Sequence, residues 1–174
     1  MRVHNKLLGA FALAACLSAA PAGAQTLTFH AKLDGKYGDN PTGSAATGTA
    51  RVTVDTAAKT VSVDLEVDGI RIDALWDTLV AAPIGPVHFH KYASAAGGAS
   101  ALALPLPYGA DYRATERGLR VTTKDYDYVA GAALLKSGLA FEDFVAAMRG
   151  GLVILNVHTD AFNSGEISGR IAEG

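Results

Sequence analysis

Three histidines carry the densest chemical signal in the chain. His88 and His90 lie in the run Val87-His88-Phe89-His90, and His158 ends an apolar run that starts at Leu152. Residues two apart on a strand point to the same side. His88 and His90 therefore present both rings to one point, about 7 Å apart along the backbone. His158 supplies a third ring if its strand is a neighbour. Three neutral imidazoles with an open position suit copper or zinc, with copper favoured by intrinsic affinity. Asn156 shares the strand face of His158, and Asp160, two residues further on, is placed to orient an imidazole from behind. A structural reading stands beside this one. The rings can instead bond a loop carbonyl or Asp160 and fix the mouth of the fold, while Asn156 ties down a loop. His30 falls on the polar face of its own strand and is expected to face solvent.

Other chemistries find little footing. No serine sits in a G-x-S-x-G elbow, and no Gly-rich loop opens a helix in the phosphate-binding manner. The carboxylates show no pairing suited to glycoside hydrolysis. Charged residues are 18% of the chain and the net charge is −2. With no Lys/Arg cluster, a nucleic-acid partner is not expected. The sequence names no other partner.

The elements that must position the histidines read mostly as strands. Residues 26–33 alternate Leu27, Phe29, Ala31 and Leu33 against polar neighbours. Residues 49–55 and 59–67 form a hairpin around Thr56-Ala57-Ala58, and Asp68-Gly69 makes the next turn. Ile70, Ile72, Ala74 and Trp76 alternate until Pro83, Gly85 and Pro86 end any strand. Residues 87–92, 100–106 and 119–123 follow as strands, with 108–118 as loop and 125–128 as turn. Phe141, Phe144, Val145 and Met148 share one helical face. That predicts one short helix near residues 138–149, capped by Ser137 and stopped at Gly150-Gly151. Residues 152–158 and 166–171 then form a closing hairpin around Asn163-Ser164-Gly165, with Ile167, Gly169 and Ile171 on the inner face. The sum is an all-β, antiparallel sandwich or barrel of about seven or eight strands with one helix.

The N-terminus reads as an export signal. Arg2 and Lys6 precede an apolar run, residues 7–20, too short to span a membrane as a helix. Pro21 ends it, and Ala22-Gly23-Ala24 forms an A-x-A site before Gln25. This predicts a signal peptide over residues 1–24, a folded domain over 25–174, and a periplasmic or secreted protein with no transmembrane segment. Leu13-Ala14-Ala15-Cys16 also resembles a lipobox, which would place a lipid anchor on Cys16. Cys16 is the chain's single cysteine, so the domain without its leader holds no disulfide and draws its stability from its core.

With these blocks in view, the chain resembles the CHRD (chordin-type) domain family, which is common in exported bacterial proteins. The family signature is an H-I-H-like strand in mid-domain, then a short helix, a Gly, a block close to Y-V-N-V-H-T, a turn, and G-E-I-R-G. The matching residues are His88-Phe89-His90, the helix ending at Gly150-Gly151, Ile154 to Thr159, and Gly165-Glu166-Ile167-Ser168-Gly169. Ala46 to Ala50 fits the family's second strand. Two departures stand out: Ser168 replaces the usual Arg, with Arg170 two positions on, and Lys91-Tyr92-Ala93 replaces a Gly-Pro-like segment. The resemblance implies an immunoglobulin-like β-sandwich without a settled activity. The expectation is an exported, non-enzymatic binding or structural module. A fainter similarity to copper/zinc superoxide dismutases lies in the order and strand placement of His88, His90 and His158. It implies a copper-only site and, were the protein an enzyme, a dismutase-like redox activity. The bridging histidine, zinc ligands and disulfide of those enzymes have no counterpart here.

Overall fold

The computed structural model describes residues 25–37 and 41–174. The expected signal peptide and Cys16 lie outside the described residues. Among the described residues, ten strands form one antiparallel sheet in the order β5-β4-β8-β9-β1-β2-β3-β7-β6, with β10 also on β1. They are β1 (Thr26–Asp34), β2 (Thr47–Asp55), β3 (Thr60–Asp68), β4 (Val87–Ser94), β5 (Gly97–Leu106), β6 (Tyr112–Ala114), β7 (Gly118–Asp127), β8 (Val153–Val157), β9 (Ile167–Arg170) and β10 (Ala172–Glu173).

Alternation in the sequence builds the core. Leu27, Phe29, Ala31 and Leu33 of β1, Val52 and Val54 of β2, and Val61, Val63, Leu65 and Val67 of β3 are all buried. They join Val87, Phe89, Leu155, Val157 and Ile167 from the other half of the sheet in one cluster. The sheet is thus a sandwich-like fold whose halves share a core, as the sequence pattern predicts. The halves meet where β9 crosses onto β1, paired at Asp34 and Ser168. A Cβ on Gly169 would lie 2.2 Å from the Lys32 carbonyl oxygen, so the crossing needs glycine there. Across the far side, the buried Tyr112 hydroxyl donates to the Leu106 carbonyl (2.6 Å), tying β6 to the end of β5.

The helices depart from expectation. Helix α3 is Phe141–Arg149, beginning after Ala140 with no side-chain cap. Ser137 lies too early to cap it; its hydroxyl accepts from Leu139 N instead. The apolar stripe is as predicted, with Phe141, Phe144, Val145 and Met148 buried. Helix α2 (Tyr128–Leu135) occupies a stretch with no apolar periodicity; Asp127 caps it by accepting from Ala130 N. Between β3 and β4 the alternation of Ile70 to Trp76 is not a strand. It is a 3-10 turn, Ile72–Ala74, followed by the four-residue helix α1, Asp77–Val80. No helix among the described residues is long and apolar enough to cross a membrane.

Gly169→Ala is expected to lower stability by about 3 kcal/mol, because the new methyl meets backbone that cannot yield. Gly109, with open space around its Cβ position, supplies the control: Gly109→Ala should change stability by less than about 0.5 kcal/mol. Urea unfolding of the two variants beside wild type measures both, and equal midpoints for all three would contradict the close-crossing account.

Candidate metal centre

Strand β4 lies between β5 and β8, paired to both. Val87 and Phe89 point into the core, so His88 and His90 point to the opposite, outer face of that sheet. The β4–β8 register sets His88 opposite Asn156 and His90 opposite Ile154. The ladder runs one residue beyond β8, with His158 N donating to Pro86 O (2.8 Å). His158 O in turn accepts from Trp76 N (3.1 Å), which locks the residue between two segments.

The three imidazoles meet. Centroids of His88 and His158 are 4.5 Å apart and nearly parallel, and those of His88 and His90 are 4.8 Å apart. One ring nitrogen from each histidine lies within 4.8 Å of the other two. Two nitrogens bonded to one ion at roughly 2.1 Å can be no more than about 4.2 Å apart. Chelation by all three therefore requires every pair to fall inside that distance, tighter than the 4.8 Å bound. His88 and His158 are buried and His90 partly so.

Backbone carbonyls fix the orientation of two rings. His88 Nδ1 donates to Gly85 O (2.9 Å), and His158 Nδ1 donates to Asn163 O (2.9 Å). A carbonyl only accepts, so in each neutral ring Nε2 carries the bare lone pair. Gly85 holds a left-handed φ of 74°, and a Cβ there would strike the Leu106 carbonyl. The turn that carries Asn163 is held by Glu166, whose carboxylate accepts from Thr159 Oγ1 (2.7 Å) and Ser44 Oγ (2.7 Å). His88 Nε2 accepts from His90 Nε2 (2.9 Å). The remaining ring nitrogens, His90 Nδ1 and His158 Nε2, are buried with no partner.

Electrostatics keep the cluster uncharged. Burial, then the neighbouring His158 and His90, push His88 down to about 3. Burial and His158 push His90 down to about 4, and burial lowers His158 against the opposing bond to Asn163. All three rings are neutral at neutral pH, the state a metal ligand needs.

The flanking polar residues divide. Asn156 accepts a hydrogen bond from Ser168, the residue standing where the family has Arg. With His90 and His158 it lines a cavity of about 340 Å³. Asp160 turns away from the imidazoles: its carboxylate accepts from Asp77 N (3.2 Å) at the start of α1. Arg170 donates to Gly151 O and Ala95 O, pinning the end of β9. His30 is exposed on β1, apart from the cluster. The carbonyls of Gly85 and Asn163 escaped the sequence reading, although a Gly-Pro pair before H-x-H and an Asn-Ser-Gly turn after His158 mark both. Trp76, whose ring lies 6.4 Å from that of His158, escaped it as well.

A family model described as the CHRD domain matches residues 29–171. The chain belongs to this family. The match takes in β4, β8 and β9 entire, and with them His88, His90 and His158. No curated protein and no solved structure matches the chain.

Stability of this CHRD domain should depend on pH through the histidines. A histidine held neutral in the fold but free to charge when unfolded, at its ordinary value near 6.5, contributes fully above that value. It costs about 1.4 kcal/mol per pH unit as pH falls toward the folded value. Urea midpoints of the metal-free protein should be level between pH 7.5 and 6.5 and decline from 6.5 to 5. His88→Gln should decline less steeply; an unchanged slope in that variant would contradict the assignment.

Proposed function

We propose that this CHRD domain is an exported, non-enzymatic binding module whose ligand is one transition-metal ion, copper in preference to zinc, held by His88, His90 and His158. What carries the reading is His158 Nε2: a lone-pair nitrogen, buried, unpartnered, and beside two other imidazoles. Leaving such a group unsatisfied costs about 1–3 kcal/mol. A metal ion would repay it, and His90 would bind through Nε2 as a neutral ring once its proton shifts to its own Nδ1. Carbonyl bonds on the rear nitrogens of His88 and His158 are the kind of support that orients metal-bound imidazoles and raises their basicity. Three nitrogens without a thiolate or carboxylate suit copper or zinc, and the general affinity order favours copper. Export rests on Arg2, Lys6, the apolar run and the A-x-A site at residues 22–24, with lipidation at Cys16 as the other processing route.

Trp76 is the chain's single tryptophan and its ring neighbours His158, so it reports on the site directly. Purified protein should bind one equivalent of copper(II) with strong quenching of Trp76 fluorescence. His88→Ala and the near-isosteric His158→Gln should each weaken binding by about 100-fold or more, and His30→Ala should bind as wild type. Copper and zinc content that is equal in wild type and both site variants would leave the cluster as a hydrogen-bond clasp and sink the metal reading.

A further inference from the structure

The cavity beside the cluster is lined by Tyr37, Tyr92, Ser100, Asn156, Ser164 and Ser168 together with His90 and His158. At about 340 Å³ it has room for roughly ten waters at their liquid volume. Part of its donor set is unspent. Among the described residues the hydroxyls of Tyr37, Ser100 and Ser164 have no hydrogen bond, and the Asn156 amide NH2 has no acceptor, since Asn156 Oδ1 is the atom that receives Ser168. No carboxylate lines the cavity among the described residues. The carboxylate of Glu166, the residue after Gly165 of the lining, is already occupied by Ser44 and Thr159. The Arg170 guanidinium, bonded to Gly151 O and Ala95 O, stands 5.9 Å from the centre of the Tyr37 ring.

The charge balance decides what fits. Three neutral imidazoles bring no negative charge to a divalent ion. A loaded centre would therefore carry its whole positive charge beside a space lined by hydroxyl and amide groups and, among the described residues, by no carboxylate. Buried cations are compensated by a partner, and three protein ligands leave a coordination position open. We infer that the cavity is an anion site: a small carboxylate or oxyanion enters there, takes the open position on the metal, and is held from behind by Asn156, Ser100 and Ser164. The inference rests on the metal reading above.

Azide is the probe, because it is small, monoanionic and gives copper(II) a charge-transfer band on binding. Copper-loaded wild type, its content measured first, should develop that band and a shifted EPR spectrum with saturable dependence on azide. Formate should compete. Ser100→Phe fills the cavity from the exposed strand β5, away from the histidines. It should keep its copper and bind azide about tenfold or more weakly, a loss of roughly 1.4 kcal/mol. Ser164→Val should weaken azide binding as well, again at unchanged copper content. Wild type that takes up no copper overturns the metal centre, and the anion site with it. Copper-loaded wild type whose spectrum is indifferent to azide, or a Ser100→Phe variant that binds azide as wild type does, overturns the anion site alone.

Discussion

The pairing of β4 with β8 is the contact on which both the core and the histidine cluster depend. Its register, Val87 to Val157 through Lys91 to Val153, puts Val87, Phe89, Leu155 and Val157 on one face and His88, His90 and Asn156 on the other. The two strands lie far apart in the chain, so their pairing carries the entropy cost of closing a long loop. A slip of one residue would turn the histidines of β4 into the core and its apolar side chains out. Burying Val87 and Phe89 completely therefore fixes where the imidazoles stand, and packing energy is what positions the polar site.

Placing three imidazoles together out of water carries its own constraint. Charged, they would repel at ring contact and lose their hydration, so the fold holds them neutral. Neutral rings still need partners for their N–H groups, and turns supply them: the Gly85 turn before β4 for His88, and the Asn163 turn after β8 for His158. Each turn is itself anchored. Gly85 is pressed against the end of β5, and the Asn163 turn is held through Glu166 to Thr159 and Ser44. The carbonyls that orient these two rings are thus held in place by residues that touch no imidazole, which is how a rigid supporting shell is built.

The sequence was informative where a period existed. Strict alternation in β1, β2 and β3 marked half-buried strands, and the 3.6-residue stripe of Phe141, Phe144, Val145 and Met148 marked α3. It was silent where a period was absent. Helix α2, Tyr-Val-Ala-Gly-Ala-Ala-Leu-Leu, is apolar all round, with Val129 and Leu134 left exposed, so no face could be read from it. Ile70 to Trp76 misled because Ile70 and Leu75, both buried, are brought inward by a 3-10 turn rather than by strand geometry. For the site, strand spacing was enough to bring His88 and His90 together, and His158 joins them because β4 and β8 pair. Asp160 went the other way for a local reason: an exposed carboxylate beside the bare N–H of Asp77 is more useful as a helix cap than behind a ring already served by Asn163.

The two halves of the sheet do different work. The half built from β1, β2, β3 and β7 shows solvent a regular polar face. Its ion pairs, Arg120 with Asp64 and Arg117 with Asp68, are exposed and add little to stability. Its contribution is the inner face, a nearly continuous apolar wall. The other half, β5-β4-β8-β9, backs onto that wall and carries the histidines, the cavity and the turns that support them. At this edge the halves join at the tight step of Gly169 and Ser168, and again where β10 pairs with β1. Ser168, on the outward side of that same two-residue step, holds Asn156. The inner side of β9 closes the sandwich while its outer side finishes the cavity, so the geometry that joins the halves also shapes the site. A family member with Arg in place of Ser168 would put a long cation where this chain has a short hydroxyl, and would reshape the cavity without disturbing the three histidines.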